Sequence, residues 1–155
     1  MTFDEDFYPK LDLDKENIKE LIKSFYENDF GALKQITSQI PDAIKTVEFA
    51  FANDCQVVIA TNPLFPLRAN LHRLDWAGLS SRDYPFTLIT SYESMHFAKP
   101  NPAFYAEILG KLGWPEQPAC VIGNSLKDDL VPALKLGIPG YYVTTSPEAE
   151  LSEYG

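Results

Sequence analysis

Long apolar runs are missing from this chain of 155 residues. No hydrophobic stretch reaches the roughly 18 residues that a membrane-spanning helix needs. The start, Met1-Thr2-Phe3-Asp4-Glu5-Asp6, is acidic where a signal peptide would be basic. Both absences exclude a membrane partner and lead us to expect a cytoplasmic protein. Basic charge is also scarce: 13 Lys and Arg stand against 22 Asp and Glu, for a net charge of −9, and the basic residues are scattered rather than clustered. A surface that tracks nucleic-acid phosphates needs grouped cations, so no nucleic acid is expected as partner, and small molecules or proteins take its place. The two cysteines, Cys55 and Cys120, each head an apolar run, and are expected to be small buried hydrophobes with no catalytic or bridging role.

What is present is enough to fold. Hydrophobic residues make up 45% of the chain, ample for a packed interior in one domain with at most a small appendage. Residues 1 to about 53 carry helical signals and no strand signal. Ile18, Leu21, Ile22 and Phe25 recur at i, i+3, i+4 and i+7 and make one apolar stripe, with Glu16, Lys19, Glu20 and Lys23 on the wet side. Asn28-Asp29 breaks it. A second short helix is expected over Gly31 to Gln39, and Pro41 can open a third through Phe51, because its absent N–H costs nothing in a first turn.

From Cys55 the pattern becomes strand, loop, helix, repeated. The organising stretch is Cys55-Gln56-Val57-Val58-Ile59-Ala60-Thr61-Asn62-Pro63, an apolar β-branched run that delivers a hydroxyl and an amide to its carboxyl end. Leu67, Leu71 and Leu74 then form a helical stripe, with Gly78 suited to a left-handed cap. Phe86-Thr87-Leu88-Ile89 is a second strand candidate. A loop with His96 and Lys99 leads to Asn101-Pro102, an N-cap and first-turn proline, opening a helix that buries Phe104, Ile108, Leu109 and Leu112 and stops at Gly113. Ala119-Cys120-Val121-Ile122 is a third strand running into Gly123-Asn124-Ser125. Leu130, Val131 and Leu134 give another helix stopped by Gly137, and Tyr141-Tyr142-Val143 is a fourth strand. The tail after Thr145 reads as a surface segment or fraying helix.

This alternation predicts an α/β fold with a parallel sheet covered by helices on both faces, whose site forms beyond the carboxyl ends of the strands. Thr61, Lys99 and Asn124 fall on that edge. Singly, each has a structural reading: a threonine at a strand end is a turn former or cap, Lys99 a solvated charge, and Asp128-Asp129 a pair of acids favoured by the start of a helix. His96 reads as a polar loop residue and His72, in mid-helix, as structural.

As an ordered set, these stretches resemble the haloacid dehalogenase-like (HAD) hydrolase superfamily. Its second motif, an apolar strand ending in Thr or Ser, looks like Val57-Val58-Ile59-Ala60-Thr61-Asn62. The third, a lysine before a helix, is similar to Phe97-Ala98-Lys99-Pro100-Asn101-Pro102. The fourth, an apolar strand ending in Gly-Asp with further acids, looks like Val121-Ile122-Gly123-Asn124-Ser125-Leu126-Lys127-Asp128-Asp129. The wording Ala60-Thr61-Asn62-Pro63-Leu64-Phe65-Pro66, with Arg73-Leu74-Asp75-Trp76-Ala77-Gly78-Leu79, is similar to one bacterial branch of phosphatases in that superfamily.

The resemblance implies a Rossmann-like (HAD-like) parallel sheet with flanking helices, and a hydrolase of a small phosphate ester working through an aspartyl-phosphate. By that resemblance Thr61 and Asn62 would hold phosphoryl oxygens, and Lys99 would screen the phosphoryl group and a carboxylate nucleophile. Asn124, Asp128 and Asp129 would be the candidate ligands of Mg²⁺. Two departures stand out. The family's nucleophile and general acid are aspartates of an Asp-x-Asp-x-Thr/Val motif after a central first strand, and nothing upstream fits: Asp12-Leu13-Asp14 follows Tyr8-Pro9-Lys10, and Asp4-Glu5-Asp6 follows only Phe3. Solvated helix-start acids are the better reading of both pairs. Asn124 stands where the family has a metal-binding aspartate, so Mg²⁺ is expected to bind weakly or not at all in this form.

The expected organisation is a helical cap remnant at residues 1–40 and an incomplete HAD-like core at 41–155, with the central first strand missing. Its unpaired ladder groups would need a partner, met by closing the gap, a strand-swapped homodimer or complementation by the missing segment. Three readings follow. The chain is the carboxyl-terminal portion of a Mg²⁺-dependent HAD-like phosphatase, inactive as written. Alternatively it is a non-catalytic HAD-like binding module for a phosphorylated ligand or protein partner. The third, an unrelated flavodoxin-like or Rossmann-like signalling domain, is disfavoured because no strand is followed by Gly-x-Gly-x-x-Gly.

Overall fold

The computed structural model describes residues 15–144, so Asp4, Asp6, Asp12, Asp14 and the segment after Thr145 lie outside the described residues. The described elements are α1 (Lys15–Ser24), a π turn (Phe25–Asp29) running into a 3-10 stretch (Phe30–Ile36), α2 (Pro41–Ala52), β1 (Val58–Ile59), α3 (Leu67–Trp76) and β2 (Leu88–Ile89). They continue with α4 (Ala103–Lys111), β3 (Val121–Gly123), a π turn (Leu126–Leu130) leading into α5 (Val131–Leu134), and β4 (Gly140–Tyr142). Among the described residues no helix is long and apolar enough to cross a membrane.

Two compact units emerge. Of the described residues, one contains 15–57 together with Leu67–Phe86; the other contains Val58–Pro66 and 87–144. The first unit is helical. Its centre is aromatic: Phe30, 3% exposed, packs its ring 5.3 Å from Trp76 and 5.2 Å from Tyr26. His72 lies within ring contact of both Phe30 and Trp76, the packing role expected of a mid-helix histidine. Pro41 stands in the first turn of α2, as its missing N–H allows. Gly78 follows α3 with φ of +77°, and a β-carbon there would meet Ile44 Cδ1 at 3.0 Å, so both backbone and space favour glycine. The α1 stripe is only partly used: Ile18 is buried, whereas Leu21 is 70% exposed and Ile22 and Phe25 also remain exposed. The stretch expected as a helix over Gly31 to Gln39 is instead the tighter 3-10 segment, which ends at Ile36.

The second unit holds all four described strands, paired as two separate two-stranded parallel sheets, β1 with β2 and β3 with β4. This corrects the expectation of a single sheet. The strands are also shorter than their apolar runs: β1 is only Val58–Ile59, within the stretch that begins at Cys55. Cys55 and Cys120 are exposed, against the expectation of burial, because each precedes its strand instead of lying within it. Coverage is likewise incomplete. Met95, Phe104, Tyr105, Ile108, Ala133 and Ile138 form the core, with Val58, Ala60, Leu88 and Val121 packed against it. On β3 and β4, however, Ile122 is 54% and Tyr141 66% exposed, so one face of that pair lacks the cover that parallel strands ordinarily have. Gly140 lets β4 approach the Leu130 side chain, where a β-carbon would sit 2.6 Å away.

Candidate active site

The corner of interest lies wholly within the second unit, beyond the carboxyl ends of β1 and β3. Thr61 and Asn62 follow β1 and are half-buried. The Thr61 backbone is fixed from the end of β2: Thr90, fully buried, donates its hydroxyl toward the Thr61 carbonyl at 2.6 Å, with the Ile59 carbonyl at 3.2 Å. The Asn62 side chain has a definite task. Its Oδ1 accepts from the Lys99 backbone N–H at 3.1 Å, tying the lysine loop to the end of β1.

Lys99 is not the solvated charge that a lone lysine would suggest. Its side chain is 11% exposed, and its ammonium donates to Asp129 Oδ1 at 2.6 Å while resting 5.6 Å from the centre of the Phe104 ring. An ammonium has three N–H donors, so one bond to Asp129 leaves two directions for a ligand oxygen. Asn101 Oδ1 accepts from the Ala103 N–H at 2.9 Å, a local turn ahead of α4, on which Phe104 sits; the cap position is Pro102, one residue later than the sequence suggested, and carries no side-chain cap bond.

Asp129 is engaged on both oxygens. Beyond the Lys99 bond, its Oδ2 accepts from the backbone N–H groups of Asn124 and Ser125, each at 3.1 Å. It therefore pins the loop after β3 and fixes the ammonium at once. Gly123 makes this possible by close approach: a β-carbon at that position would lie 2.5–2.7 Å from the Asp129 side-chain atoms. Asp128 is held separately. Ser125 Oγ accepts from the Asp128 N–H at 3.0 Å, and the Asp128 carboxylate lies 3.3 Å from the same hydroxyl, a reciprocal cap on the turn. Asn124 is exposed, with its backbone rather than its amide tied into the network.

A magnesium ion wants several oxygen ligands with negative charge among them. As they stand, the described residues do not fit it: Asp129 is taken by an ammonium and two amides, Asn124 is neutral, and Asp128 alone offers a carboxylate. Among the described residues no group of three His, Cys, Asp or Glu side chains is placed to hold a metal.

Three supporting residues escaped the sequence reading. Thr90 could have been found, since it too is a threonine closing an apolar strand. Ser125 was legible as well, because Ser125-Leu126-Lys127-Asp128 has the spacing of a helix-start cap. Glu107 had no local signal. It reaches back from α4 to accept from the backbone N–H groups of His96 at 2.9 Å and Phe97 at 3.2 Å, and its other oxygen meets His96 Nδ1 at 2.8 Å. Burial alone would raise the Glu107 pKa, but these bonds outweigh it and hold the carboxyl below its ordinary value. His96 is thus an exposed partner of a buried clamp. Tyr105, 3% exposed, carries a hydroxyl without a hydrogen-bond partner; burial, and secondarily the Asp129 charge, raise its pKa well above the ordinary phenol value.

In chemical terms the corner offers a fixed, partly shielded cation with two donors to spare, beside a half-buried hydroxyl residue and a strand end of fixed backbone. Such a set can hold an oxyanion. Compared with known families, residues 3–137 match the model of the family described as haloacid dehalogenase-like hydrolase, a span that includes Thr61, Asn62, Lys99, Asn124, Asp128 and Asp129. No curated protein and no solved structure matches.

Proposed function

We propose a function from the premise that this chain belongs to the haloacid dehalogenase-like hydrolase family. Family membership implies an α/β Rossmann-like fold and a hydrolase domain. Our finer reading is that the chain is the carboxyl-terminal portion of a phosphatase acting on a small phosphate ester through an aspartyl-phosphate. In it, residues 1–40 are a cap segment and 41–155 the core. Thr61 and Lys99 bind the phosphoryl group. Asn62 places Lys99, and Asp129 holds its ammonium in position.

The observation that carries this reading is the Lys99 ammonium, held at 2.6 Å by Asp129 and anchored through its own backbone to Asn62. Phosphoryl transfer is chiefly positioning and charge neutralisation, and a fixed cation at a strand end supplies both. In the complete reaction a carboxylate oxygen would attack phosphorus, the ester oxygen would leave with a proton, and water would then cleave the acyl phosphate.

The attacking carboxylate has no bearer among the described residues. No aspartate stands at the carboxyl end of β1, β2, β3 or β4 among the described residues. Among the described residues the two strand pairs are unjoined and each has an open edge, which supports a further parallel strand as the natural bearer of that group, supplied by complementation or by a second copy in a homodimer. We therefore expect the polypeptide alone, with Mg²⁺, to hydrolyse p-nitrophenyl phosphate no faster than buffer. Clear turnover that Lys99→Ala abolishes would overturn this and return attention to Asp4, Asp6, Asp12 and Asp14.

A second reading, a non-catalytic module that binds a phosphorylated molecule, draws on one specific observation: both Asp129 oxygens are engaged and Asn124 is neutral, which suits anion binding better than metal chemistry.

A further inference from the structure

The Lys99 ammonium has a second neighbour besides Asp129. Its nitrogen stands over the Phe104 ring, 5.6 Å from the ring centre, inside the distance at which an aromatic face attracts a cation. Phe104 is locked in place. It is 0% exposed, its ring meets that of Tyr105 edge to face at 5.2 Å, and its backbone N–H donates to the Asn101 carbonyl at 3.0 Å. It also belongs to the buried core with Met95, Ile108, Ala133 and Ile138.

A lysine stem is flexible, so an ammonium that is to meet an anion gains affinity by being restrained before the anion arrives. The backbone end of Lys99 is tied by Asn62 and its charged end by Asp129. Each carboxylate that grips an ammonium takes one of its three N–H donors and offsets its charge, so a second one would leave little to attract an anion. An aromatic face differs on both counts. It attracts the cation through its quadrupole while carrying no net charge, and the attraction grows where water is excluded, as it is around a lysine side chain only 11% exposed.

We infer that Phe104 is a positioning residue of the phosphate corner: its ring face restrains the Lys99 ammonium beside Asp129 without neutralising it, so that anion affinity depends on the electrons of that face and not only on the volume it fills. This rests on the phosphate-binding reading above and adds a residue to it. The test replaces Phe104 in the full chain by mono-, di- and trifluorinated phenylalanine, which withdraw electron density from the face step by step and change the ring's size little. Inorganic phosphate is then titrated calorimetrically without added metal. Affinity is expected to fall with each fluorine, to about threefold weaker for the trifluorinated ring, the scale of one shielded cation–π contact. The same replacements at Phe86, which packs against Phe51 and Tyr84 in the other unit, should leave affinity unchanged. Affinity that stays level or rises across the Phe104 series, with phosphate still bound, overturns the inference and spares the phosphate corner, as does an equal fall in the Phe86 series. No phosphate binding by the unmodified chain overturns both.

Discussion

Glu107 illustrates how one side chain far along the sequence fixes the loop that carries the lysine. Its carboxylate takes two backbone N–H groups and the His96 ring while its side chain stays largely buried. Because these bonds hold its pKa below the ordinary value, the folded state binds this proton less readily than the unfolded chain. The stabilisation is therefore complete above the unfolded carboxyl pKa and is lost as pH falls through the depressed folded value. Urea titrations at a series of acidic pH values should show this loss, and Glu107→Gln should be less stable near neutral pH, by about 1–2 kcal/mol, with a shallower acid dependence. Gly123 has the opposite logic, needing the absence of an atom. Gly123→Ala must displace Asp129, so the variant should lose about 2 kcal/mol or more in urea unfolding and bind phosphate more weakly. An alanine accommodated without either effect would mean that Asp129 is not held as tightly as its three bonds indicate.

Among the elements, the two strand pairs decide how the fold is to be understood. Val121 N–H donates to the Pro139 carbonyl and Val143 N–H to the Gly123 carbonyl, so residues 121 and 123 face β4. The alternation of a parallel ladder then turns the Ile122 N–H and C=O the other way, toward the open edge. The same alternation directs Val58 and Ala60 away from β2, since Ile59 is the residue that bonds Thr90. Amide hydrogen exchange should find Ile122, Val58 and Ala60 fast and Val121, Val143 and Thr90 slow. Slow exchange at Ile122 in the isolated chain would mean that a strand already fills the edge.

These details also mark what the sequence could tell. Capping and turn chemistry are local, so Pro41 and Gly78 were readable in their roles from a few neighbours, while the cap expected at Asn101 falls one residue later, at Pro102. Strand length is set by what lies alongside, and apolar runs at Cys55 and Cys120 looked longer than the structure makes them because the partners that would extend them are not among the described residues. The site showed the same split. Lys99 and the Asp128-Asp129 pair were visible as a set in order along the chain, but their individual tasks were not. That Asp129 would hold Lys99 rather than face a metal, and that Asn62 would grip a backbone N–H, depends on groups 30 and 37 residues apart.

At the scale of the whole molecule, a chain of net charge −9 repels anions in general, so any binding of phosphate must come from a local arrangement strong enough to overcome that field. Lys99 is the cation fixed within this corner, and Asp129 already offsets one unit of its charge. Salt should screen the overall repulsion more than the short-range contact, since the lysine side chain is largely shielded from water. The acidic surface would also favour ligands whose remainder is neutral and apolar over those bearing additional anionic groups. Calorimetric titration of inorganic phosphate into the full chain and into Lys99→Met, without added metal, tests the central claim most directly. Saturable one-to-one binding is expected, weakening at least tenfold in the variant through the loss of a charged hydrogen bond. Equal affinity in the two proteins, or no binding by the unmodified chain, would contradict it.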